Sequence, residues 1–109
     1  MKKIEAFVKP FTVEAIKSAL VEAGIERFRV VPANEFSSVK THADVFSGTE
    51  FALDMTPTSL VVVHAEDETV DSIVDLFLQA GQTEQRGNGR IVVTALEKVI
   101  EIEASETAS

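Results

Sequence analysis

The chain has 109 residues and carries 18 acidic and 10 basic residues, a formal net charge of −8. An acidic surface repels the phosphates of nucleic acid and of anionic lipid headgroups, so we expect neither as a partner. The absence of cysteine excludes disulfides, thiolate nucleophiles and zinc–thiolate sites. No apolar run approaches the roughly 20 residues of a membrane-spanning helix, so we expect one cytoplasmic domain with no membrane insertion.

The first half of the chain is predicted to form a strand, a helix and a second strand. Apolar and polar residues alternate over Lys3–Lys9, which indicates the first strand. Thr12 is a candidate N-cap for a helix that Gly24 would end. The apolar face of this helix repeats at helical spacing and comprises Val13, Ile16, Ala19, Leu20 and Ala23. A second strand begins within Arg27–Val31 and extends toward Glu35.

The second half predicts the same kinds of element. Leu60–Val63 is a short β-branched strand, and Asp67 is placed to cap a helix that ends at Gly81. The apolar face of this helix comprises Val70, Ile73, Val74, Phe77 and Leu78. Arg90–Thr94 is predicted as a fourth strand and Lys98–Glu103 as a fifth, short one.

This element order predicts an α+β fold, the ferredoxin-like βαββαβ sandwich with two helices on one sheet face. Both faces of the strands are fairly apolar, as shown by Ala6, Val8, Val62, Val92 and Thr94, so we expect oligomerisation through the free sheet face. Residues 1–103 form the single domain, and residues 104–109 are predicted to be a flexible tail.

The connection Phe36–Pro57 is about 22 residues long and shows no clear periodicity. Loops of this length inside a small domain are usually functional or disordered. We interpret it as a mobile arm that orders on contact with a partner. The alternative is a hairpin extension with no special role.

A polar stretch with two glycines runs from Thr83 directly into the fourth strand. Gly87 and Gly89 permit backbone conformations that are costly for residues with a Cβ. Neighbouring amides can then converge on an anion, with Arg86 or Arg90 adding a cation. This pattern is typical of a phosphate-binding loop, and the alternative is an ordinary turn.

Five short segments, taken together, carry a family resemblance. They are Met1-Lys-Lys-Ile4, Val8-Lys-Pro-Phe11, Glu22-Ala-Gly-Ile25, Gly48-Thr-Glu-Phe51 and Thr83-x-x-x-Gly87-Asn-Gly-Arg-Ile91. They resemble the PII family of nitrogen-regulatory signalling proteins over residues 1–103. The second and the fifth segments are the most specific.

The resemblance implies a homotrimer with three adenine-nucleotide sites in the clefts between neighbouring subunits. It implies that loop Gln82–Arg90 holds phosphates, that Val99–Glu103 of the adjacent subunit closes the site, and that an arm over 37–55 contacts a membrane transporter or an enzyme. The implied nucleotide-binding positions are Arg29, Glu35, Ser37, Val62, His64, Gly87, Asn88, Gly89, Arg90, Glu101 and Glu103. The implied effector and partner positions are Ser38, Val39, Lys40, Thr41, Phe46, Phe51 and Thr58.

The sequence departs from the family at the positions that recognise 2-oxoglutarate. Val39 stands where nitrogen-sensing members have a glutamine that helps to hold Mg²⁺, and Thr58 stands where they have a lysine. Valine offers no metal-ligating oxygen, and threonine cannot neutralise a carboxylate. We therefore expect the 2-oxoglutarate response to be weak or absent.

A second departure concerns the phosphates. Glu101 and Glu103 stand where members usually have arginines. Residues two apart on a strand share a face, and unit charges at about 4 Å interact by roughly 4 kcal/mol at an effective dielectric constant of about 20. This predicts that AMP or ADP is favoured over MgATP. The alternative is that both glutamates are solvated surface residues.

A third departure removes covalent control at the arm. Phe51 replaces the tyrosine that many members present for nucleotidylation, and position 46 is also phenylalanine. Neither ring has a phenol oxygen, so uridylylation or adenylylation at this site is excluded.

Catalytic and metal-binding patterns are weak in this sequence. His42 and His64 are the two histidines, and neither has a metal-ligand spacing. No nucleophile elbow, Walker loop or Ser-His-Asp order is present. We expect neither an enzyme nor a metal site.

The preferred hypothesis is a PII-like signalling trimer that binds AMP or ADP and regulates a target through its long loop. Some branches of the superfamily with this profile respond to these nucleotides, sometimes with bicarbonate, beside inorganic-carbon transporters or carboxysome genes. One alternative is conventional regulation of an ammonium transporter or a nitrogen enzyme. A second is a structural trimer with a dead nucleotide pocket.

Overall fold

Among the residues that the structure describes, four strands and two α-helices form in the order β-α-β-β-α-β. The structure is a computed structural model, and it describes residues 1–39, 52–82 and 89–103. The elements are β1 (Lys2–Val8), α1 (Val13–Glu22), β2 (Arg29–Val39), β3 (Ala52–Ala65), α2 (Val70–Ala80) and β4 (Arg90–Ala95). None of the helices among these residues is long and apolar enough to span a bilayer.

The strands form one antiparallel sheet in the order β2-β3-β1-β4. The central strand β1 pairs Ile4 with Val63 of β3 on one side and with Val93 of β4 on the other. Both helices lie on one face of this sheet. The ferredoxin-like α+β fold predicted from the element order is therefore confirmed.

The core lies between the sheet and the two helices, and alternate strand residues supply its lower layer. Its fully or almost fully buried members are Ile4, Ala6, Ile16, Leu20, Val61, Val63, Ile73 and Phe77. Full burial of one such aliphatic side chain contributes roughly 1.5–3 kcal/mol. The helix faces predicted from the spacing are the faces that pack here, except that Ala23 after α1 and Leu78 near the end of α2 are exposed.

Both helices begin after a short 3₁₀ turn, so the predicted capping is only partly right. Thr12 is the N-cap of α1, but its Oγ1 donates to the Lys9 carbonyl at 2.7 Å and caps no helix amide. Asp67 opens the turn before α2, and Thr69 is the N-cap. Asp67 instead accepts from the amino terminus, so its prediction as a helix cap is wrong.

The helix ends agree with the glycine positions. α1 is followed by Gly24, whose φ of 84° lies in the left-handed region that disfavours a Cβ. Gly81 is the C-cap residue of α2.

β2 and β3 continue well beyond the sheet core as a two-stranded hairpin. Glu35 pairs with Thr56, and the pairing extends to Val39 and Ala52. The prediction of an irregular connection over 36–57 is therefore wrong for 36–39 and for 52–57, which are strand. Residues 40–51 lie outside the described residues.

The predicted fifth strand is also wrong. Residues 98–103, which the structure describes, form no strand. The alternating apolar residues Ile100 and Ile102 are not buried against the sheet but are 79% and 99% exposed. Glu101 contacts the residues that precede β2, since its Oε2 lies 3.5 Å from Nη1 of Arg27.

Candidate functional site: two cavities on the outer sheet face

The sheet face turned away from the helices carries the residues that alternate with the core. We call it the outer face. The register places Lys3 beside His64, and Phe7 between Leu60 of β3 and Arg90 of β4. Two cavities of about 300 Å³ each border this face, at its opposite ends.

The first cavity lies at the end from which the hairpin projects, and we call it the Arg90 cavity. Its lining comes from all four strands and the residues beside them: Phe7, Lys9, Glu35, Thr56, Pro57, Thr58, Gly89 and Arg90. It thus brings together four residues predicted for binding or effector roles, namely Glu35, Thr58, Gly89 and Arg90.

Two contacts hold the Arg90 guanidinium in this cavity. Its Nη2 donates to Oε1 of Glu35 at 3.0 Å, and its Cζ lies 4.9 Å from the centre of the Phe7 ring. A guanidinium over an aromatic face is attracted by the ring quadrupole. Arg90 is therefore oriented by one strand neighbour and by a carboxylate from the far edge of the sheet.

The Thr58 hydroxyl forms a hydrogen bond with the backbone of β1. The side chain is buried, with 7% of the residue exposed, and its Oγ1 donates to the Val8 carbonyl at 3.1 Å. This hydroxyl donor is occupied, so Thr58 presents neither a charge nor a spare donor to an acidic effector.

Gly89 is required for a reason different from the predicted one. Its φ does not lie in the left-handed region; Gly24 alone among the described residues has a positive φ. A Cβ at position 89 would instead lie 2.7 Å from the backbone oxygen of Phe7. Glycine is therefore needed here for close approach of this backbone to β1, and the expectation of special dihedrals is wrong at this position.

The second cavity lies at the opposite end of the outer face, and we call it the Arg29 cavity. Its lining residues are Met1, Arg27, Phe28, Arg29, Val62, His64, Val99 and Glu101. Four residues predicted to bind nucleotide therefore meet here: Arg29, Val62, His64 and Glu101. Arg27 and Glu101, which both line this cavity, form an ion pair, and both side chains are largely exposed.

The predicted nucleotide site is thus divided between two places on one chain. Arg29 and Glu35 lie six residues apart on β2, which corresponds to about 20 Å at roughly 3.3 Å per residue. The two groups of predicted residues therefore lie at opposite ends of the outer face.

The remaining predicted site residues do not join either cavity or are not described. Ser37 and Ser38 are exposed on the hairpin, where they pair with Asp54 and Leu53, and Val39 pairs with Ala52. Glu103 is exposed and lines neither cavity. Outside the described residues lie Lys40, Thr41, His42, Phe46, Phe51, Gly87 and Asn88.

The cavity-lining residues that were not predicted as site residues include Phe7, Lys9 and Arg27. The alternation over Lys3–Lys9 already placed Phe7 and Lys9 on the face opposite the core. No sequence pattern marked Arg27, because its ion pair depends on where Glu101 lies in the folded chain.

Asp67 contacts Met1, which lines the Arg29 cavity. The amino-terminal ammonium of Met1 lies 3.0 Å from Oδ1 of Asp67, and Lys2 lies 3.8 Å from the same oxygen. The hydrogen bond from the ammonium, and then the Lys2 charge, lower the pKa of Asp67 below its ordinary value of 3.8. This contact fixes Met1 at the cavity rim. Across residues 1–39, 52–82 and 89–103, no three His, Asp or Glu side chains converge to hold a metal.

Comparison with known proteins identifies the family of this chain. The family model for Nitrogen regulatory protein P-II matches residues 1–106. The chain is 36% identical over 107 residues to Nitrogen regulatory protein P-II of Rhodobacter capsulatus, with 98% of this chain and 96% of that protein covered. It is 38% identical over 106 residues to the protein of the same name from Azospirillum brasilense, with 97% and 95% covered.

The chain belongs to the P-II family. It is also 34% identical over 106 residues to Nitrogen regulatory protein P-II 1 of Escherichia coli K12, with 97% of this chain and 95% of that protein covered. P-II proteins act in signalling and nitrogen regulation and are regulatory proteins rather than enzymes. The resemblance identified from the five sequence segments is confirmed.

Proposed function

We propose that this P-II family protein binds AMP or ADP between neighbouring copies of the chain and regulates a target through its long arm. The observation that carries the proposal is the division of cationic residues between two cavities. Arg90 and Lys9 line one, and Arg27 and Arg29 line the other. A site assembled from the Arg90 cavity of one copy and the Arg29 cavity of the next would surround one nucleotide.

The outer face supports assembly into a homotrimer. Its apolar residues Phe7, Leu60 and Val62 are only half buried in the single chain, and Val31 and Val92 are exposed. A cyclic assembly buries such a face and repeats the same contact at every interface, so a trimer has three equivalent clefts.

The charges favour few phosphates. Two carboxylates, Glu35 and Glu101, line the two cavities beside the cationic side chains. A carboxylate repels a phosphate group that approaches it, and a triphosphate places one more phosphate in this site than a diphosphate does. We therefore propose AMP or ADP as the ligand in preference to MgATP.

We propose that 2-oxoglutarate is not an effector. Thr58 is buried and its hydroxyl already donates to Val8, so the position that would meet a carboxylate supplies no cation. Bicarbonate, a smaller monoanion, is the co-ligand that we propose, because Lys9 and Arg90 line the same cavity. This co-ligand is the part of the proposal that carries the inorganic-carbon role.

We propose that the arm over 37–55 contacts a membrane transporter or a cytoplasmic enzyme. The hairpin that begins this arm projects from the Arg90 cavity itself, because Glu35, Thr56 and Pro57 belong to both. Its exposed apolar residues Phe36, Leu53 and Met55 offer contact area to a partner. Nucleotide at the cavity and partner at the hairpin would therefore share one structural element.

The shared site is tested by subunit complementation. We expect Arg29→Gln and Arg90→Gln each to abolish ADP binding in calorimetry, with Lys17→Gln on the exposed face of α1 as the control for lost charge. When the two deficient variants are unfolded together and refolded as a mixture, about one quarter of the clefts combine two intact halves. Recovery of that fraction of sites supports the proposal. Binding that stays lost in the mixture, or a chain that sediments as a monomer, contradicts it.

The regulatory role is tested by titrating the protein with AMP, ADP and MgATP, each with and without bicarbonate or 2-oxoglutarate. A thermal shift with ADP that grows with bicarbonate supports the carbon role. A shift that grows with 2-oxoglutarate indicates conventional nitrogen regulation of an ammonium transporter or nitrogen enzyme, as the names of the relatives suggest. No shift with any nucleotide indicates a structural trimer with a dead pocket.

A further inference from the structure

The Arg90–Glu35 ion pair joins the two edges of the sheet. Arg90 begins β4 and Glu35 lies on β2, and the strand order places β3 and β1 between them. Neighbouring strands are about 4.8 Å apart, so the two backbones are separated by about 14 Å. The side chains meet across the outer face at 3.0 Å, with the guanidinium over Phe7.

Stability alone does not explain this pair. Arg90 and Glu35 have side-chain exposures of 65% and 45%, and ion pairs this exposed contribute little to folding because water screens them. The pair does affect ligand binding, because Glu35 contacts the Arg90 guanidinium that a ligand would bind. A guanidinium binds carboxylate and phosphate through the same donors, so Glu35 occupies a position that a phosphate would take.

We propose that Glu35 is an internal counter-anion that competes with the ligand's phosphate for Arg90, so that ligand binding breaks the Glu35–Arg90 pair. The inference rests on the proposed function in taking a phosphate group as the ligand of the Arg90 cavity. Glu35 then acts as a specificity-determining residue, because each further charge on the ligand is opposed by the carboxylate that stays nearby.

Glu35 lies on the strand that leads into the arm, so loss of its pair with Arg90 affects that strand. Glu35 pairs with Thr56, and from there the β2–β3 ladder runs to Val39 and Ala52, where the arm begins. Breaking the ion pair removes the contact that joins this hairpin to β4 across the sheet. The state of Arg90 is therefore transmitted to the strand that leads into the arm.

The test compares Glu35→Gln with Asp54→Asn in the full chain at one ionic strength. Both variants remove one carboxylate from the hairpin, but Asp54 pairs with Ser37 in the sheet and has no place in the Arg90 cavity. We expect Glu35→Gln to tighten ADP binding by about three- to tenfold in calorimetry, as loss of an exposed competing charge allows. We expect Asp54→Asn to change it by less than about twofold, and the gain in Glu35→Gln to be smaller for AMP than for ADP.

A second readout follows the ion pair itself. In ¹⁵N-correlated spectra, saturating ADP should shift the Arg90 Nε–Hε resonance and the 35–39 amides of the wild type. The same amides should already be displaced in that direction in ligand-free Glu35→Gln. Asp54→Asn should leave the Arg90 resonance unchanged.

Inorganic pyrophosphate separates this inference from the proposed function. Equal ADP and pyrophosphate affinities in wild type and Glu35→Gln, or weaker binding in the variant, overturn the inference while the nucleotide site stands. Pyrophosphate that binds more tightly to Glu35→Gln, with no binding of any nucleotide, supports the inference and removes the proposed function. No binding of either probe to any variant overturns both.

Discussion

The Arg90 cavity and the Arg29 cavity are built from similar residue types but are held together very differently. Arg90 is fixed by Phe7 and Glu35, in a wall made from paired strands and a buried threonine. The Arg29 cavity is bordered by a segment, 98–103, that forms no strand, and its Arg27–Glu101 pair is 86% and 65% exposed. The difference indicates that the Arg90 half of the proposed site is held by buried and paired groups, whereas an exposed ion pair borders the Arg29 half.

The largest effect that tests this difference is expected at Gly89. Gly89→Ala places a Cβ 2.7 Å from a backbone oxygen of β1, which cannot move away as a side-chain tip could. We expect a loss of about 1–3 kcal/mol in the free energy of unfolding, measured by urea denaturation, together with loss of ADP binding.

Gly24→Ala is the matched control for that substitution. Nothing lies within 4 Å of its added Cβ, but its φ of 84° is strained for alanine, at about 1–2 kcal/mol. It should lower stability without altering ADP affinity. A Gly89→Ala protein as stable as the wild type would show that the Arg90 wall is not rigid.

The next effect concerns the hydroxyl of Thr58. Thr58→Val keeps the shape of the side chain but removes the donor to the buried Val8 carbonyl, so we expect a loss of about 1 kcal/mol in unfolding free energy. Thr69→Val removes a similar bond at 2.9 Å to the Glu66 carbonyl in an exposed turn and should cost less. Equal losses in the two variants would contradict the buried role of Thr58.

A smaller thermodynamic effect is expected in the Arg29 cavity. Arg27→Gln should change the unfolding free energy by less than about 1 kcal/mol, because its pair with Glu101 is exposed. It should nevertheless raise amide hydrogen exchange across 98–103, while Arg90→Gln leaves that segment unchanged. Unaltered exchange in Arg27→Gln would show that other contacts hold the segment.

The smallest effect depends on pH and lies at the rim of the same cavity. The folded pKa of Asp67 is lowered by the amino-terminal ammonium and by Lys2, so the folded state binds a proton less readily than the unfolded state. The resulting stabilisation is present above 3.8 and is lost as pH falls through the lower folded value. Asp67→Asn should therefore be slightly less stable than wild type near neutral pH and equal to it in strong acid, with Glu68→Gln as control. A difference that persists in acid would exclude this ion pair as its cause.

The sequence predicted the core elements well because burial leaves a pattern in them. Ile4, Ala6 and Val8 alternate under two helices, and Ile16 and Leu20 recur at helical spacing on the buried face of α1. The extended hairpin left no such pattern. Residues 36–38 and 53–57 are exposed on both faces, so no alternation marks them, and their backbone ladder forms without one.

Long-range arrangement was the other part that the sequence did not predict. The alternation over Lys98–Glu103 indicated a strand, but these residues pair with none of the four described strands and form no strand. The Glu35–Arg90 pair joins residues 55 positions apart through the order of four strands. Local sequence was enough to predict a phosphate-binding loop before β4, whereas the partner of Arg90 depends on the topology of the sheet.

The β2–β3 hairpin has a mechanical consequence. Strands of 11 and 14 residues form one continuous ladder that starts under the helices and runs to the arm. A tilt at the root of this ladder, beside Glu35, would displace its far end at Val39 and Ala52 by a larger distance, because the displacement grows with the length of the strands.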